Sequence, residues 1–316
     1  MKLTRLDLAT LADVAIGAAV KAGELISSYK NRQFDLLRKE VQPSHDPKGL
    51  VAASPAAQLV TEVDIKSQGI ILDHLRPSTQ QYDLGILAEE SNDDKSRFEK
   101  HYFWAIDPLD GTLRFAEGKG GYSVAIALVD RKGDPYIGVV FDPREKTVYH
   151  GIKGIGAYRN GEPFGLSTRN NSATLSLIHD RSFGEQKLYP EITESMQAIS
   201  HDLKFSDFEA YEFGGSVMNS CRVIEEHPAV YFKFPQSRAG GGCIWDFAAT
   251  TCIYNEIGAF ATDIHGSNLH LNNRQTCYFN HGGVLFTGVK ALQERVCDLY
   301  LGLHDDTPKL FFIYAP

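Results

Sequence analysis

The chain has no Cys-x-x-Cys pair, no excess of basic charge and no apolar run long enough to cross a bilayer. Each absence closes a class. Five cysteines, an odd number without paired spacing, argue against a disulfide-built scaffold and give no zinc-ligand pattern. They read as reduced thiols of a cytoplasmic protein. Asp and Glu number 40 against 32 Lys and Arg, a formal net charge of -8, so nucleic-acid polymers and anionic membranes are not expected partners. The longest apolar run, near residues 124–129, falls far short of the roughly 20 residues a membrane helix needs. Lys2 and Arg5 open the chain, but Asp7 and Asp13 interrupt any apolar core, so the pattern is not that of a secretory signal. No internal repeat or low-complexity tract stands out. The 11 His show no ligand spacing, with His265 and His270 reading as surface or core side chains, and no Ser or Cys stands in a nucleophile motif.

What is there is globular: 43% hydrophobic and 23% charged residues over 316 positions, enough chain to bury about three quarters of its unfolded surface. The spacing of Leu11, Val14, Ala15, Ala18, Ala22, Leu25, Ile26 and Tyr29 predicts an amphipathic helix over 6–30. Residues 38–58, with three prolines and with Lys39 and Lys48, read as a long loop. A second helix opens near Asp64. Strands are expected at 84–88, 102–106, 122–129, 136–141 and 147–150, with turn residues that argue for antiparallel pairing. Asn160-Gly161 is a hairpin signal. Beyond about residue 165 strands (175–179, 229–234, 259–262, 284–286) alternate with helices (185–200, 215–226, 245–256, 289–301). The pattern predicts two α/β lobes, 1–160 with an antiparallel sheet and 161–316 with a mixed sheet.

The stretch that organises the chain is Trp104-Ala105-Ile106-Asp107-Pro108-Leu109-Asp110-Gly111-Thr112. Its strand is expected to stop at Asp107-Pro108, because proline cannot donate to a sheet ladder. Asp107 and Asp110 then crowd one turn and repel each other, a cost that a hard divalent ion such as Mg²⁺ removes. The N–H groups of Gly111 and Thr112 suit a phosphate oxygen. A metal beside a phosphate nest points to a phosphatase. The bland alternative is an ordinary turn built from ordinary turn residues. Three further acidic stretches bear on the choice: Asp64 near a helix start, Glu89-Glu90 just past a strand, and Asp246 after Trp245 at another helix start. Singly, Asp64 and Asp246 read as helix caps, and Glu89-Glu90 as a solvated turn continued by Asp93 and Asp94. Jointly, four acidic stretches at element ends argue for one shared site.

Leu59-Val60-Thr61-Glu62-Val63-Asp64, Ala88-Glu89-Glu90-Ser91, Asp107-Pro108-Leu109-Asp110-Gly111-Thr112 and Trp245-Asp246-Phe247-Ala248-Ala249 resemble, in order, the motifs of the inositol monophosphatase superfamily. That group also holds the 3′(2′),5′-bisphosphate nucleotidases and, more distantly, the fructose-1,6-bisphosphatases. The likeness runs from about residue 10 to 290. It implies a layered α-β-α-β-α sandwich with metals between two α/β lobes. It also implies a lithium-sensitive, Mg²⁺-dependent phosphomonoesterase in which a metal-activated water attacks phosphorus with no covalent phosphoenzyme. By position, Glu89, Asp107 and the Leu109 carbonyl correspond to ligands of one Mg²⁺, and Asp107, Asp110 and Asp246 to ligands of a second. Glu89 also faces a third, weaker site. Glu90 supports the ligands from behind. The resemblance further implies that Thr112 and Asp64 would orient the water and that the Gly111 and Thr112 N–H groups would hold the phosphate. The resemblance leaves a homodimer open.

It also bears on the substrate. Gly215-Ser216 falls where the family's loop and helix start contact the substrate. Inositol enzymes carry a Glu shortly before Trp-Asp, whereas Gln236-Ser237-Arg238-Ala239-Gly240-Gly241-Gly242-Cys243-Ile244 has no acid, and the chain between Ser216 and Asp246 is a few residues longer. Residues 261–269 resemble the corresponding nucleotidase stretch. Arg238 reads either as a contact to a second phosphate or as a solvated loop side chain. The expectation is a 3′(2′),5′-bisphosphate nucleotidase. The alternatives are an inositol-1-phosphate or sugar (fructose-1,6-bis)phosphatase and, from another class, a non-catalytic metal- or phosphate-binding regulator.

Overall fold

The computed structural model describes residues 2–29, 36–38, 59–166, 174–237 and 240–304. Lys39, Lys48, Arg238 and nearly all of the 38–58 loop lie outside the described residues.

Two helices form one outer layer. In α1 (Arg5–Ser28) the Thr4 side chain and Asp7 close a capping box, and in α2 (Glu62–Gln81) Thr61 and Asp64 do the same. Between them in sequence, β1 (Leu36–Arg38) and β2 (Leu59–Thr61) pair antiparallel. Both helices pack on a seven-stranded sheet in sequential order: β3 (Gly85–Ala88), β4 (Tyr102–Asp110), β5 (Ser123–Asp130), β6 (Pro135–Asp142), β7 (Thr147–Ile152), β8 (Gly156–Arg159) and β9 (Glu162–Pro163). Strand β3 runs parallel to β4, and the other neighbours are antiparallel. Asn160 and Gly161 make the β8–β9 turn with φ of 52° and 83°, as a two-residue hairpin loop of this chemistry requires.

A second, mixed sheet has the order β11 (Phe208–Glu212), β10 (Leu175–His179), β12 (Ala229–Lys233), β14 (Val284–Thr287), β13 (Phe260–Thr262). The short helices α3 (Thr112–Ala116) and α4 (Arg181–Gly184) follow β4 and β10. Helices α6 (Ser216–Glu225) and α7 (Ile244–Ile257) lie between the sheets, while α5 (Tyr189–Asp202) and α8 (Lys290–His304) cover the far face of the second. The layers are therefore α-β-α-β-α, with a hydrophobic core at each junction.

Alternation along the strands explains the two central cores. Trp104 and Ile106 of β4 face α1 and α2, while Phe103 and Ala105 face α6 and α7; on β5, Val124, Ile126 and Leu128 take the first side and Ala125, Ala127 and Val129 the second. With both faces covered, every residue of β4 is buried, so its first part, 102–106, reads as a continuous apolar run without alternating polarity.

Three expectations need correction. Strand β4 does not stop at Asp107-Pro108 but continues to Asp110 through a bulge, where Pro108 owes the ladder no N–H. The helix expected over 185–200 begins at Tyr189, with Pro190 in its first turn, after the separate turn of α4. Strand β11, Phe208-Glu209-Ala210-Tyr211-Glu212, was not expected; its polar alternation belongs to an edge strand that is half exposed.

Candidate active site

The bulge in β4 sets the central geometry. Asp107 pairs with Ala125 and Asp110 with Ser123, so three steps on one strand oppose two on the other. In a regular strand residues three apart point to opposite faces. The extra residue restores parity and turns Asp107 and Asp110 to the same side. The bulged backbone is served by side chains: the Pro108 carbonyl accepts from Ser67 Oγ at 2.8 Å, the Leu109 N–H donates to Asp107 Oδ1 at 3.0 Å, and the Leu109 carbonyl accepts from Thr112 Oγ1 at 3.1 Å.

Asp246 reaches the same place from α7. Carboxylate oxygens of Asp107, Asp110 and Asp246 lie within 4.8 Å of one another, and Asp107 and Asp110 are only 2% and 5% exposed. Burial, then the charges of Glu89, Asp110 and Asp246, push the Asp107 carboxyl well above its ordinary range. Burial and Asp246 do the same to Asp110, against the pull of the Val217 N–H and Lys233. Crowded, desolvated carboxylates with oxygen-only donor chemistry fit a hard divalent cation such as Mg²⁺.

Asp64 and Asp246 share a second role. Each is the third residue of its helix and closes a capping box. Asp64 Oδ2 accepts from the Thr61 N–H at 2.8 Å and Thr61 Oγ1 at 2.5 Å, and Asp246 Oδ2 accepts from the Cys243 N–H at 2.6 Å. The helix-terminus reading and the site reading are both satisfied by the same side chains. The other oxygen of Asp64 accepts from Thr112 Oγ1 at 3.0 Å. Burial raises the Asp64 carboxyl, opposed by the Thr61 and Thr112 bonds and assisted by Glu89.

Gly111 initiates α3 in the left-handed region, φ 82°, and the first N–H groups of that turn lack intrahelical acceptors. Gly215 and Ser216 approach from the second half of the chain. The Ser216 and Val217 N–H groups donate to Asp110 Oδ1 and Oδ2, each at 3.0 Å, and the Gly215 N–H donates to the Gly121 carbonyl at 2.8 Å. A side chain on Gly215 would meet Asp110 Oδ2 at 2.3 Å. Ser216 Oγ accepts from Tyr231 at 3.0 Å. The Glu90 N–H donates to Gln68 Oε1 at 2.8 Å, tying the turn after β3 to α2.

Sequence reasoning missed a cation. Lys233, at the end of β12, pairs with Asp180 at 2.8 Å and carries its positive charge to Asp110 and Asp246. Burial opposes the Lys233 charge, but Asp180 and Tyr231 hold its pKa above the usual lysine range. The available signal was a charged residue in the otherwise apolar Val230-Tyr231-Phe232-Lys233-Phe234, because a buried charge is kept only when paired. A second surprise lies beside Glu90. Asp93 is not a solvated acid: it pairs with Arg97, itself 2% exposed, at 2.9 Å, and Arg97 reaches Asn272 Oδ1 at 2.6 Å and the Asn273 carbonyl at 3.1 Å. His265 and His270 are exposed.

A buried carboxylate cluster between two sheets, flanked by a hydroxyl–carboxylate pair, has the donor chemistry that a metal-dependent hydrolase uses. A sequence model of the inositol monophosphatase family matches residues 7–300, and the chain belongs to that family of metal-dependent phosphatases. Inositol monophosphatase 3 of Solanum lycopersicum is 29% identical over 287 residues, covering 89% of this chain and 96% of that protein. The 3′(2′),5′-bisphosphate nucleotidase CysQ of Salmonella typhimurium is 31% identical over 229 residues, 71% of this chain and 83% of that one. The crystal structure of inositol monophosphatase II from Staphylococcus aureus MSSA476 shares the fold, with a TM-score of 0.67 at 21% identity over 94% of this chain and 98% of that one. The chain is thus a phosphoric monoester hydrolase. Among the described residues no helix is long and apolar enough to cross a membrane.

Proposed function

We propose that this phosphatase is Mg²⁺-dependent and acts on a small metabolite with two phosphates, a 3′(2′),5′-bisphosphate nucleotide. Lys233 is already paired with Asp180, so the reading is carried by the stretch ahead of Trp245-Asp246, whose composition departs from that of the inositol enzymes. The absence of any acid in 236–244 and the similarity to CysQ support it. The longer match to a plant inositol monophosphatase favours a second reading, an inositol or sugar phosphatase.

Glu89, Asp107 and the Leu109 carbonyl would hold one Mg²⁺, and Asp107, Asp110 and Asp246 another, with Glu90 buttressing from behind. Bound, the ions supply the charge that activates water and stabilises the leaving oxygen. The chain's own part is positional. The Thr112 hydroxyl has one proton and two acceptors in reach, Asp64 Oδ1 and the Leu109 carbonyl, so its lone pairs accept from an attacking water while Asp64, raised by burial, is suited to take a proton. The N–H groups of Gly111 and Thr112 receive the phosphate. With their own N–H groups engaged, Gly215 and Ser216 shape the substrate side through the loop and the Ser216 hydroxyl.

Phosphate release from adenosine 3′,5′-bisphosphate, inositol 1-phosphate and fructose 1,6-bisphosphate, with and without Mg²⁺, tests this. The bisphosphate nucleotide is expected to give the highest kcat/KM. Preference for inositol 1-phosphate in the unmodified protein overturns the substrate assignment.

A further inference from the structure

All five cysteines are free thiols, but two of them are neighbours. Cys243 and Cys277 have their sulfurs 3.7 Å apart. The backbones around them are already paired: the Ile244 N–H donates to the Cys277 carbonyl at 3.0 Å, and Cys243 forms an antiparallel bridge with Tyr278. The bridge thus holds the two segments together beside the cysteines, with Cys277 one residue from Cys243's partner. Cys243 is also the N-cap of α7, and its N–H holds Asp246.

We propose that Cys243 and Cys277 form a reversible disulfide that acts as an oxidative off-switch for the carboxylate site. The sulfurs must close by about 1.6 Å to reach bonding distance. Any backbone movement of Cys243 that accompanies closure disturbs the bond that positions Asp246, one of the three clustered carboxylates.

The two sulfurs have distinct parts. Cys243 is buried, whereas Cys277 is partly exposed and lines a cavity of roughly 150 Å³ with Asp263, His270 and His281, wide enough to admit a small peroxide. Cys277 is therefore the sulfur that oxidant meets. The Cys277 thiolate attacks hydrogen peroxide, breaking the O–O bond to give a sulfenic acid and hydroxide. The Cys243 thiol then attacks that sulfur and water leaves. Two thiols and one peroxide become one disulfide and two waters; a dithiol reductant reverses the change.

The purified protein, treated with hydrogen peroxide and then freed of it, is examined by intact-mass and peptide mapping, by the Mg²⁺-induced shift of the thermal midpoint, and by phosphate release. The expected result is a mass lower by two hydrogens, a Cys243–Cys277 cross-link, a reduced Mg²⁺ shift and about tenfold or greater loss of activity, all restored by dithiothreitol. Cys277→Ser retains activity through the same treatment. The mass and the Mg²⁺ shift test the switch even if the substrate assignment fails. Absence of the cross-link, a cross-link that leaves the Mg²⁺ shift unchanged, or equal sensitivity in Cys277→Ser overturns the proposal.

Discussion

The carboxylate of Asp110, on the first sheet, receives the backbone N–H of Ser216, on a helix of the second half, at 3.0 Å. Val217 supplies a parallel bond to the other oxygen. One carboxylate therefore fixes the cleft that it also serves, since the start of α6 cannot withdraw without stripping two donors from a buried acid.

Removing that charge has a graded expected outcome. Asp110→Asn should lower kcat by about a thousandfold or more, because a charge at the metal cluster acts chiefly on the transition state. Thr112→Ala, which keeps the cluster but loses the hydroxyl between Asp64 and Leu109, should cost about a hundredfold. Asp94→Asn, on an exposed acid that only caps the Ser96 N–H, should change the rate by less than about twofold. Steady-state kinetics on folded variants check the order; an Asp94 effect equal to that of Asp110 would sink the assignment.

Asp93 behaves differently from its neighbour. Asp93→Asn leaves the buried Arg97 guanidinium without its anionic partner, although Asn272 and Asn273 still accept from it. The expected loss is about 1–3 kcal/mol of stability, read as a lower denaturant midpoint, with kcat of the surviving folded protein little changed.

Mg²⁺ should raise the thermal midpoint. The clustered acids repel one another in the metal-free protein, and a ligand selective for the native state stabilises it by about 2.7 kcal/mol at a hundredfold excess over its Kd. Calorimetry across a Mg²⁺ series checks this, and an unmoved midpoint at saturating Mg²⁺ would contradict the cluster.

A pH-dependent contribution is expected where α3 meets α4. Arg181 binds Glu117 at 2.6 Å, and Lys119 adds a second cation at 2.8 Å. The Arg181 and Lys119 bonds together lower the Glu117 carboxyl to about 2. A depressed carboxylate stabilises the fold above its unfolded pKa, about 4.3, and loses that contribution as pH falls toward its folded value. Glu117→Gln should therefore melt below the unmodified protein at pH 6, with the gap closing toward pH 2. A gap that is constant across that range would exclude the ion pair as its source.

Much of this was legible in the residues. Apolar periodicity located α1, α2 and most strands, and acids at element ends pointed to Asp107, Asp110 and Asp246, whose carboxylate oxygens the fold brings together. What escaped depends on distant parts of the chain. Nothing local says that Lys233 meets Asp180, 53 positions earlier, or that Arg97 crosses to Asn272. Strand β11 escaped because an edge strand shows one face to water and lacks the apolar run of a central one. The β4 boundary was misplaced because Pro108 is a reliable strand breaker only where its N–H is wanted, and the bulge wants none.

That bulge turns a matter of spacing into one of counting. Surface loops absorb an inserted residue at little cost, but between Asp107 and Asp110 arithmetic is strict. One residue more, with the bulge retained, turns one carboxylate to the opposite face. One residue fewer leaves both on the same face in a regular strand, yet returns the intervening N–H and C=O to the ladder and withdraws the carbonyl now offered to Thr112. The length of this segment is thus a discrete variable with one functional value, and a chain that had drifted by a single codon here would keep its sheet and lose its chemistry.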